Sequence, residues 1–243
     1  MAKKKVAFVT GGSGGIGKSI CLKLIKSGFY VAVGYKTNKK DATNLTKKNP
    51  AIAIQVDVSS RKSIKKSIQS CKKFFGQNID VLINNAAISQ EKSFEKISDT
   101  DWDHMLVSNL RGVFSFSQEV IPYMIKNGWG RIINIASIGG QWGGRNQIHY
   151  AASKAGLINL TLSLAKLYSK KGITTNAVSP GLVKTDLVAN ELKTSAGKNK
   201  VKQIPIGRIA STNEIADIVN FLCSDQASYI TGQTINANGG MYP

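Results

Sequence analysis

A phenol and an ammonium stand one helical turn apart in the run Tyr150-Ala151-Ala152-Ser153-Lys154. Residues at i and i+4 share a helix face, so both polar ends can reach one bound molecule. A free phenol has a pKa of about 10 and exchanges protons poorly at neutral pH, but an ammonium beside it favours the phenolate and pulls it toward a useful range. The pair can thus form a general acid/base. Taken alone, the same spacing also suits one aromatic contact and one solvated charge on an amphipathic helix, so its meaning depends on what the other elements bring near it.

The second chemical stretch is Thr10-Gly11-Gly12-Ser13-Gly14-Gly15-Ile16-Gly17, which follows an apolar run and opens a helical pattern. Glycines there permit a tight turn and close approach of backbone to a pyrophosphate, and the helix N-terminus offers free N–H groups to an anion. The spacing T-G-x-x-x-G-x-G differs from G-x-G-x-x-G, and no G-K-[ST] ending follows. A dinucleotide is therefore the expected ligand, and the spacing counts against a phosphate-loop ATPase.

These stretches are positioned by an alternation of short β-branched runs with helical patterns. Strands are expected at 6–10, 30–35, 52–56, 81–84, 132–136, 174–178 and 234–236, and helices near 16–27, 62–75, 100–126, 150–169 and 213–222. The repetition predicts one α/β domain over residues 1–243, a doubly wound, Rossmann-type parallel sheet of about seven strands with helices on both faces and ligands at the carboxyl ends of the strands. The chain has 243 residues, 42% of them hydrophobic, enough for a sizeable core. Its three cysteines, Cys21, Cys71 and Cys223, are scattered and form no metal-ligand pattern, which suits a reducing compartment. The apolar run Val6–Val9 is too short for a signal peptide, and no stretch approaches the length of a membrane span, so a soluble cytoplasmic protein is expected. The net charge of +19 raises nucleic acid as a partner, but only Arg61, Arg111, Arg131, Arg145 and Arg208 among 33 basic residues are arginines, and the lysines are dispersed. Specific nucleic-acid binding is not expected.

Together these residues resemble the short-chain dehydrogenase/reductase family over nearly the whole chain. The glycine loop, Asn84-Asn85-Ala86 after the fourth strand, Asn109 in the next helix, Ser137 after the fifth strand, Tyr150 with Lys154, and Pro180-Gly181 after the sixth occur in the family's order. Within the family the chain is similar to the 3-oxoacyl-acyl-carrier-protein reductases through 229–233 and 238–242, and also to the acetoacetyl-coenzyme A reductases through 127–131 and 9–12. The resemblance implies reduction of a 3-oxoacyl thioester in fatty acid synthesis. Ser137 would polarise the substrate carbonyl, Tyr150 would protonate its oxygen, Lys154 would acidify the phenol and hold the nicotinamide ribose, and Asn109 would station a water that relays protons from Lys154.

Cofactor contacts are expected from Thr10, Gly11, Ser13, Gly15, Ile16 and Gly17 in the loop, Tyr35 and Lys36 after the second strand, Asp57 and Val58 after the third, Asn84 and Ala86 after the fourth, Tyr150 and Lys154, and Pro180, Gly181, Val183 and Thr185 after the sixth. Two positions depart from the family pattern: Ala87 stands where many relatives have glycine, and Gly14 where many NADP-dependent members carry a basic residue. The end of the second strand reads Tyr35-Lys36-Thr37-Asn38-Lys39-Lys40, without the carboxylate that NAD-specific folds place there, and this favours NADP(H). The resemblance further implies a homotetramer built on helices 100–126 and 150–169 and the C-terminal strand region, and docking of an acidic acyl carrier protein by Arg131 and Lys171. Residues 182–204 are expected to form a substrate lid. Coenzyme A stays open as the carrier, and a non-catalytic dinucleotide- or nucleic-acid-binding protein is the alternative from a different class.

Overall fold

The computed structural model describes residues 4–185 and 194–243. Seven strands, β1 Val6–Val9, β2 Tyr30–Tyr35, β3 Ala51–Gln55, β4 Val81–Asn84, β5 Gly130–Ile135, β6 Ile173–Pro180 and β7 Thr234–Ala237, form one sheet in the order β3-β2-β1-β4-β5-β6-β7. Every pairing is parallel. Central strands buried on both faces read as unbroken apolar runs, which is why Val6–Val9 and Val81–Ile83 carry no polar residue. The sheet seats alternate side chains on opposite layers. Ala7 and Val9 face a core with Ile20, Leu24, Ile215 and Val219, while Val6 and Phe8 face one with Ile64, Phe116, Met124 and Leu164.

The helices of the first layer are α1 Gly15–Lys26, α2 Lys39–Thr46 and α9 Thr212–Cys223; those of the second are α3 Arg61–Phe75, α5 Gly112–Asn127 and α7 Ile148–Tyr168. Three more elements, α4 Asp99–Leu106, α6 Gly139–Trp142 and α8 Ser195–Lys202, lie outside the sheet layers. The pattern at 100–126 reads as one helix, but the structure divides it at a π-turn, Val107–Arg111, between α4 and α5. Ser108 and Asn109 are buried within this turn. Helix α2 has no counterpart in the apolar periodicity, because only Ala42 and Leu45 are buried; its start is set by Asn38, whose side chain accepts from the Asp41 N–H. Of the expected lid, residues 186–193 lie outside the described residues, and 195–202 are helical.

The strand order turns at β1 and β4: successive crossovers run one way from β1 to β3 and the other way from β4 to β7. The crevice beyond the carboxyl ends of β1 and β4 is where an open parallel sheet binds its ligand.

Candidate active site

At that switch point the chain ties its own loops before any ligand arrives. The Thr10 hydroxyl donates to the Ile83 carbonyl at 3.2 Å and accepts the N–H groups of Asn85 and Ala86, each at 3.0 Å. Asn85 donates its amide to the carbonyls of Thr10 and Gly11 at 3.0 and 3.1 Å. Such contact leaves no room for a side chain at Gly11 or Gly17. A Cβ on Gly17 would lie 2.2 Å from the Gly11 oxygen, and Gly11 itself has a φ of +62°. Thr10 and Gly17 thus brace the loop from beneath, whereas Gly11 and Ser13 line its cavity.

Helix α1 begins at Gly15 with no side-chain cap and no acid in its first turn. Its N–H groups and positive dipole end are left for an anion. On one side lies a cavity of about 280 Å³ lined by Lys36, Thr37, Asp57, Val58 and Ala86 among others; on the other lies one of about 330 Å³ lined by Ile16, Ser137, Tyr150, Lys154, Pro180, Gly181, Val183 and Thr185. Asn85 and Ala87 line both, so the two make one groove across the helix N-terminus. The two halves, with the helix N-terminus between them, could take the two ends and the pyrophosphate of a dinucleotide.

Three groups with chemistry converge in the second half. Ser137 follows β5 and accepts the Gly139 N–H at 3.2 Å, which leaves its own proton for another partner on the side of Tyr150. Burial raises the Tyr150 phenol above its ordinary pKa, and the Ser137 hydrogen bond opposes that rise. Lys154 is 2% exposed and donates to the Ile135 carbonyl at 2.7 Å, and burial lowers its pKa to about 8. Its ammonium sits 5.6 Å from the centre of the Tyr150 ring. The expected acidification of the phenol by Lys154 is therefore not the dominant effect. Burial prevails and moves the phenol further from ionisation, and it stays protonated at neutral pH as an ordinary phenol does.

Other expected site residues lie elsewhere. Asn84 is buried within the sheet, donating to Asn134 at 2.9 Å, and Asn134 donates to Thr161 of α7 at 2.9 Å. Tyr35 is 7% exposed and packs in the core on the α1 side, so the groove wall begins at Lys36. Asn109 directs its side chain to Ile88, accepting the N–H at 2.9 Å and donating to the carbonyl at 2.8 Å, and it also donates to Ser153. Asn85, inside the expected stretch from Asn84 to Ala86, lines both halves of the groove, and Thr37 and Asn38 line it without having been singled out. For Asn85 a signal existed: it is the first residue past a fully buried strand at the switch point, where the chain must turn into the crevice.

Arg131 cannot serve as an exposed docking cation. It is 3% exposed, its guanidinium lies 4.2 Å from the Trp129 ring centre, and it pairs with Asp225 at 3.4 Å. Its place in β5 puts it roughly 20 Å from Ser137, at about 3.3 Å per strand residue, on the opposite end of the sheet. Lys171 is exposed, but it sits before β6 at that same far end. Lys36 is paired with Asp57 at 2.9 Å, and Asp57 also accepts from Ser59.

Comparison with known proteins agrees with this geometry. A family profile described as Enoyl-(Acyl carrier protein) reductase matches residues 11–242. The chain belongs to the short-chain dehydrogenase/reductase family. It is 41% identical over 243 residues to the 3-oxoacyl-[acyl-carrier-protein] reductase FabG of Staphylococcus epidermidis, covering 98% of this chain and 99% of that protein. It is 43% identical to the protein of the same name from Buchnera aphidicola (99% and 98% covered), and 40% identical to the acetoacetyl-CoA reductase of Rhizobium meliloti (98% of each). Members of a family with such relatives act as oxidoreductases on keto and hydroxyl groups, and this chain is one of them. Among the described residues no helix is long and apolar enough to cross a membrane, and no group of His, Cys, Asp or Glu could hold a metal.

Proposed function

We propose that this enzyme reduces a 3-oxoacyl thioester to the 3-hydroxyacyl thioester with NADPH, on acyl carrier protein in fatty acid synthesis. The observation that carries the reading is the convergence of Ser137, Tyr150 and Lys154 on one half of a dinucleotide-shaped groove. When bound, the nicotinamide supplies the hydride. The protein's part is to hold the carbonyl oxygen between the Ser137 and Tyr150 hydroxyls, so that charge growing on that oxygen meets two donors and a proton. Lys154 supports this by binding the ribose hydroxyls through hydrogens that its one bond to Ile135 leaves free. A water-stationing role for Asn109 would fall to its backbone within the π-turn, because its amide is spent on Ile88 and Ser153.

Full-length relatives with both carriers in their names support either acyl carrier protein or coenzyme A, and the number bearing the carrier-protein name favours the former. Initial rates of NADPH oxidation with acetoacetyl groups on each carrier test this. A kcat/KM at least tenfold higher with carrier protein is expected, and the reverse order would make coenzyme A the carrier. Loss of activity with both would overturn the reductase reading itself.

NADP preference is supported by Lys36 at the groove wall and by the lack of a carboxylate at the end of β2. A hydrogen bond from a charged group is worth about 1.5–3 kcal/mol, so Lys36→Asp should raise the NADPH Kd by roughly 10- to 100-fold. NADH should change little, because it has no 2′-phosphate. Equal changes for both cofactors would show that Lys36 serves only its pair with Asp57.

A homo-oligomer is supported by an apolar groove of about 520 Å³ between α4, α5 and α7, lined by Leu106, Val107, Leu110, Phe114 and Leu160. Phe114 is 43% exposed there and adds its ring to the apolar lining. Light scattering that returned the mass of a single chain would remove this part of the reading.

A further inference from the structure

The catalytic helix α7 begins one residue before a histidine that the reaction does not use. His149 is fully buried, directly precedes Tyr150, and places its Nε2 at 2.9 Å from the Gln90 Oε1. The direction of that bond follows from the next link. Gln90 donates its Nε2 to the Asp101 carboxylate at 3.0 Å, so its oxygen is the end facing the ring, and His149 must be the donor. Asp101 is fixed in turn by Lys92 at 2.6 Å and by Ser98 in the capping box of α4, and these hold its carboxyl well below the usual carboxylate range. The imidazole therefore carries a proton on Nε2. Its Nδ1 is buried without a partner, so Nε2 alone accounts for a polar ring at this position.

What this chain of bonds holds is the strap of residues 88–98, which leaves the groove at Ala87 and passes over the N-terminus of α7. Three further contacts fasten it. Asn109 grips both backbone groups of Ile88, the Lys92 N–H donates to the Asn146 carbonyl at 2.8 Å, and Gln147 approaches Glu91 at 3.4 Å. Asn109 also reaches Ser153, which donates to the Tyr150 carbonyl at 2.7 Å. The first turn of α7 is gripped from the strap side at His149 and from the π-turn side at Ser153, with Tyr150 between them.

We propose that His149 is a positioning residue for the proton donor, acting through the Gln90–Asp101 link to fix the orientation of the Tyr150 turn against the substrate carbonyl. The inference rests on Tyr150 being that donor. A proton moves efficiently only over a hydrogen-bond distance, whereas cofactor binding depends on contacts elsewhere in the groove, so loosening the turn should slow chemistry and spare NADPH.

Four variants of the intact enzyme test it: His149→Phe, His149→Gln, Gln90→Leu, and His149→Phe with Gln90→Leu. His149→Phe should lower kcat about tenfold, raise the solvent isotope effect on kcat, and leave the NADPH Kd within about twofold. His149→Gln keeps a donor near the Nε2 position and should restore kcat to within about threefold. Gln90→Leu should reproduce the Phe effect without altering the core, which keeps the test open if His149→Phe fails to fold. The double variant should lose no more than either single change, since both break one link. Wild-type kcat in Gln90→Leu, a His149→Gln as slow as His149→Phe, or additive losses would overturn the proposal. Tyr150→Phe, run alongside, separates the two readings: if it keeps its activity, the donor assignment is what has failed.

Discussion

Tyr150→Phe is expected to lower kcat/KM for the oxoacyl thioester by about 10²–10⁴-fold while the NADPH Kd stays within about twofold, as removal of one positioned acid requires. The substitution deletes only the hydroxyl, so the ring still fills its place beside Gly139 and above Lys154. Ser137 keeps its bond from the Gly139 N–H and can still donate to the carbonyl, which accounts for residual turnover. Because burial raises the Tyr150 pKa, the wild-type phenol is already protonated at neutral pH and needs no prior proton uptake. The acidic side of the reduction profile should accordingly be flat with respect to this group, and an alkaline fall should begin near the Lys154 pKa of about 8. Stopped-flow NADPH oxidation across pH 6 to 9.5 measures both. A Phe variant retaining more than about a tenth of the wild-type rate would rule out Tyr150 as the acid.

The framework was legible because parallel strands buried on both sides announce themselves as apolar runs; β2 and β4 fall at the very residues that pattern marks. The candidate cluster was legible mainly through the family resemblance. Ser137 follows β5, and Tyr150 and Lys154 lie in the first two turns of α7, which the topology brings toward the switch point. What escaped the sequence depends on side-chain direction at single residues. Asn84 and Asn85 are chemically identical neighbours, yet one faces Asn134 inside the sheet and the other spans both halves of the groove. Tyr35 and Lys36 divide in the same way at the end of β2. Arg131 misled through its charge: cations are rarely buried, but a flanking indole and Asp225 offset the cost here. The π-turn at Val107–Arg111 leaves no trace in periodicity, because it shifts the helical phase by only one residue.

Lys154→Met should separate the catalytic value of the ammonium from its cost to the fold. Turnover should fall by about 10²-fold or more and the NADPH Kd should rise if, as proposed, one group both holds the ribose and keeps positive charge beside the reacting oxygen. Stability should move the other way. The amine is buried, and its pKa drops from 10.5 to about 8, so the unfolded chain holds the proton more tightly than the folded one. A drop of that size corresponds to roughly 3 kcal/mol of destabilisation. For a folded pKa depressed in this way, the cost is fully present below about pH 8 and fades as pH rises toward the unfolded value of 10.5. Methionine of similar length has no charge to bury, so the apo variant should be more stable than wild type at pH 7, with the gap narrowing at pH 9.5 and above. Urea unfolding at the two pH values reads that gap directly. A variant less stable than wild type at pH 7 would mean that the bond to the Ile135 carbonyl outweighs desolvation, and that Lys154 is a structural strut as well as a catalytic charge.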